Sequence, residues 1–201
     1  MKILFLTNND ISKSLQYWLK SEAKEDVIIW QEKVTMDVIA AHRLDFLISY
    51  NYRFLIKPDV ISVMPRRIIN LHISYLPWNK GAHPNLWSFL EDTPKGVTIH
   101  LIDAGLDTGD ILAQQEIIID EAKETLKSSY DILHNAIQEL FINQWNLIKN
   151  FKINPQPQPP GGSKHLIKDF ESVKDILGQQ GWYIPIAELK KRYRKWKGLE
   201  P

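Results

Sequence analysis

The stretch Ile68-Ile69-Asn70-Leu71-His72-Ile73-Ser74-Tyr75-Leu76-Pro77 decides the fold. Its first residues are branched and apolar with no breaker, the pattern of a strand buried inside a covered sheet. Side chains alternate across a strand, so Asn70 and His72 share one side while Ile69, Leu71 and Ile73 share the other. Two polar groups at the carboxyl end of such a strand need a reason. One reason is structural: a hydrogen-bonded Asn and His that hold the following loop. The other is chemical, and the rest of the chain has to choose between them.

Working outward, strand and helix alternate on both sides. Before the stretch, the pattern predicts a strand from Lys2 to Thr7 and a helix capped by Ser12 that carries Leu15, Trp18 and Leu19. A strand from Asp26 to Trp30, a helix from Met36 to Arg43, a strand from Phe46 to Tyr50 and a short helix from Pro58 to Met64 follow. After it come a helix starting near Pro84, strands from Val97 to Asp103 and from Ile111 to Asp120, and one long amphipathic helix from Leu126 to Lys149. Ile132, Leu133, Ile137, Leu140, Phe141, Trp145 and Ile148 mark the apolar face of that helix. Such alternation predicts a doubly wound, mostly parallel Rossmann-like α/β sheet over residues 1–150.

Near Phe151 the composition changes. Asn154-Pro155-Gln156-Pro157-Gln158-Pro159-Pro160-Gly161-Gly162-Ser163 cannot form helix or central strand, so residues 151–163 read as a Pro/Gly-rich strap. Residues 164–201 carry nine basic and five acidic side chains. The run Lys190-Lys191-Arg192-Tyr193-Arg194-Lys195 could touch nucleic acid, but such a run is more often the solvated face of a terminal helix. Trp182, Tyr183, Ile184, Ile186, Leu189, Tyr193 and Trp196 hold too much apolar surface for a free arm. This short extension is expected to pack on its own domain or on a partner subunit.

Composition narrows the chemistry. The 201 residues are 44% hydrophobic and 24% charged with a formal net charge of +1, so no global field points to nucleic acid or an acidic membrane surface. Cysteine is absent, which removes disulfides, thiolate metal sites and a cysteine nucleophile. No signal sequence opens the chain and no apolar run is long enough to span a bilayer, so a soluble cytoplasmic protein is expected. Neither GxGxxG, a P-loop nor a GxSxG elbow occurs.

In open α/β sheets ligands bind outside the carboxyl ends of the strands. Polar residues collect there: Asn8-Asn9, then Tyr50-Asn51-Tyr52-Arg53, then Asn70 and His72, then the loop Asp103-Ala104-Gly105-Leu106-Asp107-Thr108-Gly109-Asp110. Any aspartate of that loop could simply cap a turn, and a metal loop competes, although calcium-loop spacing is missing. An Asn, a His and an Asp without a nucleophile of their own suit transfer of an acyl group to an external amine. Imidazole takes the proton, an amide donates to developing negative charge, and a carboxylate steadies the imidazolium.

The blocks from Asn70 to Pro77, Gly81-Ala82-His83-Pro84, Gly96-Val97-Thr98-Ile99-His100 and Gly105-Leu106-Asp107-Thr108-Gly109 resemble the 10-formyltetrahydrofolate-dependent formyltransferases. That family includes the glycinamide ribonucleotide, methionyl-tRNA and sugar N-formyltransferases. The resemblance implies Asn70, His72 and Asp107 as catalytic residues. It implies a folate pocket at Arg53, Phe54 and Leu55 together with Ile102, Asp103 and Gly105, 10-formyltetrahydrofolate as formyl donor, and no metal. The loop from Ser74 to Trp87 is most similar to the sugar N-formyltransferases. A nucleotide-linked deoxyamino sugar is therefore the implied acceptor, with Asn9, Trp78 and Lys80 as candidate contacts and a homodimer left open. The loop Thr7-Asn8-Asn9-Asp10 lacks the glycines of the glycinamide ribonucleotide enzymes, and the extension is shorter than the barrel of the transfer-RNA enzymes. A formyltransferase for another small amine, a formyltetrahydrofolate hydrolase and a non-catalytic folate-binding protein remain the alternatives.

Overall fold

Strands β1 (Lys2–Leu6), β2 (Asp26–Trp30), β3 (Phe46–Tyr50) and β4 (Ile68–His72) pair in parallel, β1 between β2 and β3, and β3 beside β4. This computed structural model describes residues 1–199. Its chain forms two compact units. One consists of Met1–His72, Ile99–Ala113 and Phe141–Gln158; the other consists of Ile73–Thr98, Gln114–Leu140 and the chain from Pro159 onward.

The main sheet has six strands in the order β2-β1-β3-β4-β6-β7, with β6 spanning Gly96–Leu101 and β7 spanning Ile111–Glu116. The order reverses between β1 and β3, which makes their carboxyl ends the switch point of the sheet. There Asn8 N–H donates to the Asn51 carbonyl at 3.1 Å, and Arg53 N–H donates to Asn8 Oδ1 at 3.0 Å. β7 runs back against β6: Leu101 N–H meets the Asp110 carbonyl, and Ile117 N–H meets that of Lys95. The expected α/β class and mostly parallel sheet are present.

In the first unit β3 is buried along its whole length, as a continuous apolar run requires. Helices α1 (Lys13–Ser21), α2 (Met36–His42) and α3 (Pro58–Val63) connect its strands. One core cluster joins Leu4, Leu6, Leu47, Val60, Met64 and Ile68, with Tyr52, Ile56 and Ile102 packed against it. Glu25 is a buried carboxylate with three donors: the Met1 ammonium at 2.6 Å, Lys149 at 2.7 Å and Trp145 Nε1 at 3.1 Å. Burial pushes its pKa up, but those hydrogen bonds outweigh it and hold the carboxyl below its ordinary value.

The second unit contains α4 (Pro84–Leu90), a two-residue strand β5 (Lys80–Gly81) paired with β8 (Lys164–His165), and the helices α6 (Ile167–Val173) and α7 (Ile186–Trp196). Helix α5 (Leu126–Lys149) starts in this unit and ends in the other. Leu86, Trp87, Phe89 and Leu90 of α4 share a core with Leu126, Val173, Ile176, Leu177, Ile184, Ile186, Leu189 and Tyr193. The C-terminal extension is thus packed on its own chain. Lys190 pairs with Asp92 and, at 2.7 Å, with Glu121, while Arg192 donates to Glu188, Gln180 and the carbonyls of Ile176 and Leu177. Two cations of the basic run are therefore spent on holding α7, not solvated as the sequence suggests.

Several boundaries differ from expectation for local reasons. Ser12 makes no side-chain cap to α1; instead Asn9 Oδ1 accepts from Ile11 N–H at 3.0 Å and caps the 3₁₀ turn Asp10–Ser12 that precedes the helix. The strand expected to reach Asp103 ends at Leu101, because the Asp103 side chain closes a turn. β7 stops at Glu116, short of Asp120, and Arg43 leaves α2 in the left-handed conformation. Within the strap, Gln156 exchanges both backbone hydrogen bonds with Ile111, at 2.8 and 2.9 Å.

Candidate active site

β4 delivers Asn70 and His72 to the end of the first unit's sheet, with His72 buried at 7% exposure. The loop between β6 and β7 brings Asp107 to them. Asn70 Nδ2 donates to Asp107 Oδ1 at 3.1 Å, and His72 Nε2 lies 3.8 Å from Asp107 Oδ2. The three residues expected to act together do meet, around one carboxylate.

The loop geometry sorts the three aspartates. Asp103 Oδ1 accepts from Gly105 N–H at 3.0 Å and from Thr108 Oγ1 at 2.7 Å, so Asp103 is the turn-closing residue. Asp107 has a left-handed backbone, φ +52°, and its side chain faces inward. Asp110 is exposed and contributes its carbonyl to Leu101. Two glycines make this path possible. A Cβ at Gly109 would fall 1.9 Å from the Leu101 carbonyl oxygen, and one at Gly105 would fall 1.9 Å from Thr108 Oγ1.

A fourth member was not singled out from the sequence. His100, on β6, places Nε2 3.4 Å from Asp107 Oδ1 and 3.3 Å from Asn70 Nδ2. Its Nδ1 lies 2.8 Å from the Leu101 carbonyl, which accepts only, so Nδ1 carries a proton, and in the Nδ1–H tautomer Nε2 accepts from Asn70. Both amide hydrogens of Asn70 are then engaged, one on Asp107 and one on His100. The two imidazoles, His72 and His100, stand edge to face with centroids 6.2 Å apart. The strand alternation of Thr98 and His100, both buried polar residues, was the available signal.

The loop after β3 places its residues differently from one another. Tyr52 Oη donates to the Glu32 carbonyl at 2.5 Å, and its ring meets Phe54 edge to face at 5.4 Å. The Arg53 guanidinium lies 4.7 Å over the Phe54 ring. Leu55 is 80% exposed beside them. Ile102, which packs against the same core cluster as Tyr52, donates its N–H to the Ile68 carbonyl at 2.9 Å. Leu55 is thus an exposed apolar side chain on a loop braced by aromatic and cation–π contacts, and Gly105 sits in the separate tight turn closed by Asp103.

Of the residues expected to touch an acceptor, Asn9 lies in the first unit and caps the turn before α1. Trp78 and Lys80 lie in the second unit: Trp78 is half-buried with its carbonyl taking the Ser74 hydroxyl, and Lys80 sits in β5. That unit also holds a cavity of about 320 Å³ lined mainly by Ile73, His83, Pro84, Leu126, Tyr130 and Trp182. Burial lowers the His83 pKa, and its ring stacks against Phe170 at 4.2 Å and Trp182 at 5.7 Å. Among the described residues no group of three His, Asp or Glu side chains is arranged as a metal site. No helix among them is long and apolar enough to cross a membrane.

A profile of the family described as formyl transferase matches residues 20–144, a span that contains Asn70, His72, His100 and Asp107. The chain belongs to the formyl transferase family. Among solved structures it is similar to the formyltransferase PseJ from Anoxybacillus kamchatkensis, which was crystallised with UDP-4,6-dideoxy-4-formamido-L-AltNAc and tetrahydrofolate. The two are 47% identical with a TM-score of 0.87, over 96% of this chain and 100% of that one. Two curated relatives match a shorter part. A dTDP-4-amino-4,6-dideoxyglucose formyltransferase of Mycobacterium bovis is 30% identical over 70% of this chain, and a methionyl-tRNA formyltransferase of Clostridium novyi is 35% identical over 57% of it. The matches span 59% and 37% of those relatives' own lengths.

Proposed function

We propose that the protein transfers the formyl group of 10-formyltetrahydrofolate to the amine of a nucleotide-linked deoxyamino sugar. The observation that carries this reading is the Asn70, His72 and Asp107 cluster, which offers proton transfer and charge stabilisation but no nucleophile of its own. Likeness to PseJ over nearly the whole chain supports a UDP-linked 4-amino sugar as the first acceptor to try. In this reading residues 1–150 carry catalysis, 151–163 form the strap and 164–201 form the packed extension. The enzyme works in the cytoplasm, and a homodimer is the assembly to test. Arg53, Phe54, Leu55, Ile102, Asp103 and Gly105 are the candidates to hold the folate; for the nucleotide sugar the candidates are Asn9 on the first unit and, separately, Trp78 and Lys80 on the second.

The residues divide the work as follows. When bound, 10-formyltetrahydrofolate supplies the formyl carbon and a nitrogen leaving group. His72, neutral, accepts the proton that the acceptor amine loses as its nitrogen bonds to carbon, and returns it to the departing nitrogen. Asp107 faces that imidazole and stabilises its protonated form. Asn70 keeps one amide hydrogen on Asp107. The other, held by His100 at the longer 3.3 Å, can be exchanged onto an oxygen gaining negative charge.

The test is direct. Incubate the protein with 10-formyltetrahydrofolate and a panel of UDP- and dTDP-linked amino sugars, and follow each sugar by mass spectrometry. A gain of one formyl group on one or more sugars is expected. Consumption of the folate with no acceptor modified would point to the hydrolase instead, and no turnover with any of them would overturn the proposal.

A further inference from the structure

The strap crosses the first unit at the loop that carries Asp107. Gln158 Nε2 donates to two backbone carbonyls of that loop, Asp107 at 2.8 Å and Gly109 at 2.9 Å. The two hydrogens of one amide nitrogen thus bridge the ends of the segment Asp107-Thr108-Gly109. Two residues earlier, Gln156 has already fixed the strap to Ile111 through backbone hydrogen bonds. Gln158 Oε1 is buried and has no hydrogen-bond partner, so the side chain is held there by its donors alone. Asp107 needs such a hold. Its φ of +52° is a conformation that a non-glycine residue keeps only when its surroundings impose it.

We propose that Gln158 is a positioning residue that locks the Asp107 loop so that the carboxylate stays against Asn70, His72 and His100. The chemistry of the side chain is specific. Glutamate has the same length but would bring an oxygen against two carbonyl oxygens. Methionine has the volume but no donor, and asparagine is one methylene short. The inference deepens the formyl-transfer reading, on which it rests for the meaning of the carboxylate.

The test uses Gln158→Met and Gln158→Glu, with Gln156→Ala as control, since the Gln156 side chain donates only to the Asn154 carbonyl. Imidazole NMR titration of His72 needs no substrate, so it separates failure of this inference from failure of the proposed reaction. Asp107 and His100 are titratable groups that face His72, and His100 is followed in the same spectra. In Gln158→Met the His72 pKa is expected to fall, because the carboxylate that favours its charged form is no longer held beside it. With an active acceptor in hand, kcat should drop about tenfold or more, while both KM values stay within about twofold. Gln156→Ala should match the native protein in both readouts. Unchanged His72 titration and kcat in Gln158→Met overturn the proposal. So does an equal loss in Gln156→Ala, which would mean that the strap matters only as a whole. If Gln158→Met does not fold, Gln158→Glu is read by the same criteria. Folding failure in both, with Gln156→Ala normal, also overturns it, since Gln158 would then be a stability residue.

Discussion

In the first unit His72 and His100 stand around a carboxylate, 3.8 and 3.4 Å from Asp107. In the second, His83 and His134 stand among rings: His83 beside Phe170 and Trp182, which also stack on each other, and His134 edge to face with Tyr130 at 4.1 Å. All four are partly or fully buried, so burial alone does not make a histidine chemical. A facing carboxylate lets an imidazole gain a proton without leaving its place, whereas an apolar wall makes protonation costly. For His134 burial drives the pKa down to about 3, with the Asp131 charge acting in the opposite direction.

This contrast can be broken at four points, in falling order of effect. His72→Ala should lower kcat about 100-fold or more with the fold retained, checked by steady-state kinetics and circular dichroism. Near-native turnover would move His72 to the structural side of the comparison. Asp107→Asn should cost about tenfold or more, whereas Asp110→Asn should leave turnover nearly unchanged. Equal losses at the two positions would mean that the loop needs its charge rather than a placed carboxylate.

The third point concerns pH. His134 is neutral in the fold, with a pKa near 3 against 6.5 when unfolded, so the unfolded chain binds the extra proton between those values. Stability supplied by the neutral ring is complete above pH 6.5 and is lost as pH falls toward 3. Between pH 6.5 and 5 that amounts to about 2 kcal/mol. Denaturant melts of His134→Gln should show a shallower acid limb than the native protein; an identical limb would assign the acid sensitivity to other groups. Smallest is His83→Asn, which keeps a residue tolerant of the left-handed backbone at φ +54° but loses both stacking contacts. A cost of about 1 kcal/mol is expected from melting at pH 7.

The sequence shows the strands well because buried parallel strands are written as mainly apolar runs: β1 is unbroken from Ile3 to Leu6, β3 is broken only by Ser49, and β4 only by Asn70 and His72. Asn70 and His72 were legible for the same reason: they are polar where the pattern demands apolar. Asp107 was less so, because three aspartates share its loop and only backbone geometry separates the turn-closing Asp103 from the inward Asp107. His100 hid in a β-branched run whose propensity was read and whose facing was not. Gln158 could not be found at all, since its partners lie 49 and 51 residues away and nothing local marks a contact of that range. The cap expected of Ser12 fell to Asn9 because a 3₁₀ turn intervenes before α1.

The two crowded glycines of the β6–β7 loop have a bearing on engineering. A side chain at 105 or 109 would occupy space already taken by Thr108 Oγ1 or by the Leu101 carbonyl. Both sites should therefore stay blank in a saturation library, whichever acceptor the selection rewards. Ala104 between them and Asp103 is exposed and should accept most replacements. A library gains by leaving 105 and 109 fixed and spending its diversity on exposed neighbours such as Ala104.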